Sequence, residues 1–86
     1  ALIAMFERKG FELCPDGSTE AGVEKIALYG GARDEEEYEH ASRQLEDGRW
    51  VSKLGKGEDI IHPRAESVAG GLYGELRYFM KRGRSE

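Results

Sequence analysis

HASRQLEDGRWVSKL, residues 40–54, limits the fold more than any other stretch: two β-prone runs flank Asp47-Gly48. An Asp-Gly pair between such runs is a strong hairpin signal, and a hairpin commits both flanks to antiparallel pairing. Two registers are open. If Glu46-Asp47-Gly48 forms a type I turn with Gly48 left-handed, Leu45 faces Arg49, Gln44 pairs with Trp50, Ser42 with Ser52 and His40 with Leu54. The last three pairs then share one sheet face. A two-residue turn pairs His40 with Gly55 instead and puts Trp50 on the opposite face.

Other short runs flank the hairpin. Residues 24–29 (EKIALY) form a strand closed by Gly30-Gly31; 38–45 and 49–54 are the hairpin strands; 59–62 (DIIH) is a short strand ended by Pro63. In residues 74–81, Leu76, Tyr78 and Met80 alternate with Arg77, Phe79 and Lys81, which predicts a last strand with one buried face. Residues 12–23 hold Pro15, Asp16, Gly17, Ser18 and Gly22 and read as loop. One helical turn is expected around Ser67-Val68-Ala69. At the start, Leu2, Met5 and Phe6 make a helical stripe, Gly10 stands where a left-handed cap belongs, and Phe11 is placed to pack on Phe6. No N-cap residue precedes the stripe, so the chain is expected to begin inside a helix and to be the C-terminal part of something longer. The fold class is α+β: a small antiparallel sheet of four to five strands with an N-terminal helix packed on it, in a single domain over residues 1–86.

Composition narrows the function classes. A chain of 86 residues buries only about 60% of its unfolded surface. No apolar run approaches the roughly 18 residues of a membrane span. One cysteine excludes an internal disulfide framework and a four-cysteine zinc site. The net charge of −4 speaks against nucleic acid. The basic residues Arg77, Lys81, Arg82 and Arg84, and the acidic run Asp34-Glu35-Glu36-Glu37 with Glu39, read as solvated faces or loops. The lone thiol and the lack of a signal peptide make cytoplasm the default location.

Few residues offer chemistry. His40 lies early in a strand beside the small Ala41 and Ser42, where an imidazole can reach a cleft as general base. His62, with Asp59 three residues before it, is the candidate base or orienting partner. The histidine spacing matches no zinc site, and no phosphate-binding glycine order is present, so neither metal nor cofactor is expected. Cys14 sits beside Pro15 in a loop rather than at a helix start, the position that best lowers a thiol pKa. Trp50, Ser52 and Gln44 are the candidate substrate-binding residues, with Trp50 either core packing or the roof of a site.

Two sets of strings carry a resemblance. Lys25-Ile26-Ala27-Leu28-Tyr29-Gly30 followed by His40-Ala41 resembles the strand pair of the NlpC-type and CHAP-type papain-like cysteine peptidases and amidases. Over nearly the whole chain, IALYG, HAxRQLxDGxWxSKLG, EDIxH and the late YG and MKR resemble a family of uncharacterised small bacterial proteins, known mostly as a domain of unknown function. The papain-like resemblance implies that the sheet is half of a papain-like core, that His40 is the catalytic base, and that Ser52, Asp59 or His62 orients it, with Asp59 or His62 preferred. The papain-like nucleophile is a cysteine at the start of an upstream helix, and this chain has no match for it; Cys14 matches a loop cysteine.

Two functions follow. One is the β-rich half of an amide hydrolase, with His40, Asp59 and His62 as catalytic residues and no nucleophile of its own. The other is a non-catalytic module in which the sheet presents Trp50 and nearby charges to a protein or peptide partner, or to a second copy in a homo-oligomer.

Overall fold

The computed structural model describes residues 2–30, 40–54, 58–69 and 74–84. Helix α1 (Leu2–Arg8) is followed by strands β1 (Glu12–Cys14), β2 (Val23–Gly30), β3 (His40–Gln44), β4 (Trp50–Leu54), β5 (Glu58–His62) and β6 (Glu75–Gly83). A 3-10 turn, Ala65–Val68, lies between β5 and β6. All pairings are antiparallel, in one six-stranded sheet of order β1-β6-β2-β3-β4-β5.

The expected α+β class is therefore corrected: the chain is mainly β, with six strands rather than four or five, and without a helix-packed core. Length gives the reason. Seven helical residues span about 10 Å, whereas six strands side by side span about 24 Å. So α1 contributes only Ile3 and Phe6 to one hydrophobic cluster. Its end follows the sequence pattern: Phe11 N–H donates to Phe6 O and Gly10 N–H to Glu7 O, both at 3.0 Å, a Schellman ending with the Phe6 and Phe11 rings edge to face. Among the described residues no helix is long and apolar enough to cross a membrane.

The hairpin adopts the first register. Gly48 has φ +95°, its N–H donates to Leu45 O, and Leu45 N–H donates to Arg49 O. Gln44 then pairs with Trp50 and Ser42 with Ser52. β6 departs from its expected pattern. Leu28 pairs with Tyr78 but Tyr29 with Leu76, so Arg77 is an extra residue in a bulge. Leu76 and Phe79 consequently share a face, and Met80 points to the other; both faces of β6 are buried in part.

The sheet thus has two small cores. On one face, Ala27, Tyr29, Trp50 and Ala65 pack with Val68, Leu76 and Phe79. Segments 15–22 and 63–69 cover it, and it is called the clasped face below. On the other face Phe11, Ile26, Leu28 and Met80 pack with Ile3, Phe6 and Ala41. Helix α1 covers only part of that face, the open face.

Candidate functional site

Strand alternation and the observed register put Lys25, Tyr29, His40, Ser42, Gln44, Trp50, Ser52 and His62 on the clasped face. Five of these are buried polar or charged residues: Lys25, Ser42, Gln44, Ser52 and His62. Burial without partners would cost each of them dearly, and each has partners.

The longest connection crosses four strands. The Tyr29 hydroxyl donates to Ala65 O at 2.6 Å. Ser42 Oγ lies 3.1 Å from the Tyr29 hydroxyl and also bonds Ser52 Oγ. Ser52 Oγ meets His62 Nε2 at 2.7 Å, and His62 Nδ1 meets Arg64 O at 2.6 Å. A carbonyl only accepts, so Nδ1 carries the proton. In the neutral ring Nε2 then accepts from Ser52. The two ends of this connection hold adjacent carbonyls, those of Arg64 and Ala65, and so clasp segment 63–66 onto the sheet.

A second clasp holds segment 15–22. Gln44 Nε2 donates to Gly17 O at 2.7 Å. Lys25, 1% exposed, reaches Glu20 at 2.7 Å and Asp16 at 3.5 Å, and donates to Asp16 O. Burial works against the Lys25 ammonium; the hydrogen bond and charge of Glu20, helped by Cys14 and Asp16, outweigh it and hold the pKa above the ordinary lysine value. The Asp16 carboxylate is held below its ordinary range by hydrogen bonds from the Ser18 hydroxyl and N–H and by Lys25.

Between the two clasped segments lies a cleft of about 320 Å³. Its floor is Trp50 and Phe79, ring centroids 5.8 Å apart. One wall is Asp16-Gly17, the other Pro63 to Glu66, and Gly48 closes an end. Gly17 is required by closeness: a Cβ there would lie 2.7 Å from Phe79 and 2.9 Å from Trp50. Arg64 and Glu66 form an exposed ion pair on the rim at 3.5 Å.

The sequence-predicted residues divide. Gln44, Trp50, Ser52 and His62 converge beneath this cleft, Trp50 as floor and the other three as supports of its walls. His40 is on the same face, paired with Tyr29 and half-buried, but far from His62. His62 aligns with Gln44 through Trp50, four residues along β3 from His40, about 13 Å of strand. Asp59 pairs with Lys53 and is exposed on the opposite face from His62, since a three-residue offset in a strand reverses the side. The structure therefore does not bring His40, Asp59 and His62 together. It brings together Ser52 and His62, 2% and 5% exposed. Burial, the leading cause, raises the Cys14 thiol pKa, the wrong direction for a nucleophile at neutral pH. Among the described residues no group of three or more His, Cys, Asp or Glu side chains is placed to hold a metal ion.

Sequence reasoning missed Lys25, Tyr29 and Ser42. The signal for Lys25 is its strand phase: it falls two residues from Ala27 and four from Tyr29, on their face. The basic residues near the end are structural. Arg82 bonds Glu24 and Lys9 O and lies 4.5 Å over the Phe11 ring; Arg77 pairs with Glu75, and Arg84 bonds Val23 O. The acidic run 34–37 and Glu39 lie outside the described residues.

A family model described as Domain of unknown function (DUF7689) matches residues 1–81. The chain belongs to this family. The DUF7689 match takes in both clasps and the whole cleft, from Asp16 to Phe79. Comparison with curated proteins and with solved structures gave no match.

Proposed function

We propose that this domain is a non-catalytic binding module, and that the cleft over Trp50 and Phe79 takes a side chain of a protein or peptide partner. The observation that carries this reading is the double clasp. Four buried polar side chains, Lys25, Tyr29, Gln44 and His62, anchor the backbone of the two segments that wall one cleft. A preformed concave site with an aromatic floor and a few polar groups is the usual form of a ligand pocket. Asp16, Arg64 and Glu66 on the rim supply orientation and selectivity. The amide-hydrolase reading draws less support, because Ser52 and His62 are buried and Asp59 lies on the other face from His40.

Trp50 is the chain's one tryptophan, so its emission reports on the cleft directly. Peptides selected from a displayed random library are expected to shift Trp50 emission saturably, and Arg64→Glu is expected to weaken them by about tenfold or more. Selected peptides that bind without moving Trp50 emission, and ignore Arg64→Glu, would place binding elsewhere and end this reading.

A further inference from the structure

The open face carries a knob beside a hole. Ile61 on β5 is 55% exposed, a large value for an isoleucine on a sheet face. Next to it is a hollow of about 340 Å³, lined by Phe6, Ile26, Ala41 and Val51, with Arg43 and Asp59 at its margin. The cross-strand register sets Arg43, Val51 and Ile61 in one row over β3, β4 and β5. Asp59 lies in the next row on the same face, two residues along β5 from Ile61. Arg43 and Asp59 stand on opposite sides of β4, about 10 Å apart across the sheet. Among the residues whose side chains are described, neither makes an ion pair, whereas Arg49, Arg64, Arg77 and Arg82 each hold a carboxylate.

We infer that the occupant of this face is a second copy of the chain, joined about a two-fold axis that passes over β4. Three features favour self-association over an unrelated partner. Ile61 of each copy enters the hollow of the other, so that knob and hole on one face satisfy each other reciprocally. An axis lying between the sheets and placed midway between Arg43 and Asp59 sets each Arg43 over the Asp59 of the second copy, giving two ion pairs from two charges of opposite sign. That is the self-complementarity an isologous contact requires. The packing is sheet on sheet, with the apolar row in the middle and the charges at the rim. The cleft of the clasped face plays no part in it, so the two sites are independent.

The test is the molar mass of the full chain in solution by sedimentation equilibrium, from about 1 to about 200 µM, the range in which a modest dimer changes population. The mass is expected to rise from monomer to dimer. Arg43→Asp alone and Asp59→Arg alone each set like charges together and are expected to raise the dissociation constant about tenfold or more. The double variant Arg43→Asp/Asp59→Arg rebuilds both pairs and is expected to restore the dimer. Ile61→Asp is expected to leave a monomer. Should that variant fail to fold, the charge exchange still decides, because both positions are exposed. A monomer at every concentration overturns the proposal, as does a dimer that none of the exchanges affects; the second outcome means self-association through another surface.

Discussion

The two faces of this sheet are made by the same strands and solve the problem of covering a sheet in opposite ways. The open face has a compact apolar cluster, Phe11, Ile26, Leu28 and Met80, under a seven-residue helix. The clasped face has as many buried apolar residues, and beside them five buried polar or charged ones. Those polar groups bond segments that have no regular structure beyond one 3-10 turn, and irregular backbone has donors and acceptors that no ladder satisfies. The comparison teaches that apolar contact suffices to seat a helix, which satisfies its own backbone. A sheet that must seat loops needs polar side chains of its own. The cost is that each polar group becomes essential to its neighbour.

The largest expected effect breaks the open-face cluster. Leu28 is fully buried, and Leu28→Ala is expected to lower the stability of the whole domain by about 3 kcal/mol. Gln44→Ala, on the other face, removes the anchor of Gly17 O and is expected to cost about 1 kcal/mol. Urea unfolding followed by Trp50 emission measures both. Equal losses would mean that the clasps stabilise the fold as a whole, and the contrast between the faces would fail.

A smaller effect sharpens the account of the clasp itself. Tyr29, Ser42, Ser52 and the neutral His62 ring hold four protons between them for five contacts. Tyr29 gives its proton to Ala65 O, His62 to Arg64 O and Ser52 to His62 Nε2. Ser42 has one proton for two oxygen neighbours. Ser52→Ala is therefore expected to cost about 1–3 kcal/mol, since it leaves a buried imidazole nitrogen without a donor. Ser42→Ala orphans no donor and is expected to cost under about 1 kcal/mol. The pair is measured near pH 8, where imidazole is ordinarily neutral. A reversed order would show that the protons run the other way.

What the sequence made legible follows the range of the interactions. The hairpin register could be narrowed to two because Asp47-Gly48 and its flanks are contiguous, and the Ser42–Ser52 and Gln44–Trp50 pairs belong to one of the two. The Gly10 ending of α1 is equally local. β1 was read as loop because three residues before a proline show no alternation, and their partner, β6, lies more than sixty positions away. The bulge at Arg77 changed the phase of β6, which no local pattern announces. The helix was given a larger role than its seven residues can fill. At the site, four of six candidates converge, but the strand period already argued against joining Asp59 to His62. The clasps depend on where loops return to the sheet, and that is set by tertiary packing.

Acid offers the finest comparison of the faces. Asp16 is held below the ordinary carboxylate range first by the Ser18 hydroxyl, and Glu20 first by the hydrogen bond from Lys25. A carboxylate with a depressed folded pKa stabilises the native state above its unfolded value, near 4, and loses that contribution as pH falls through the folded value. Lys25, shifted upward, stays charged through this whole window, so acid removes its partners and leaves a buried ammonium unpaired. Below about pH 4, segment 15–22 is expected to open first, while the open-face cluster, with no titratable member, holds its packing. Amide exchange corrected for intrinsic rates measures this: protection should fall in 15–22 before it falls in residues 26–28. Asp16→Asn is expected to flatten the early loss. It removes the charge that titrates and keeps an oxygen for Ser18. Simultaneous loss of protection in both segments would mean that acid acts on the sheet as a unit, and that the clasps are no weaker than the core beneath them.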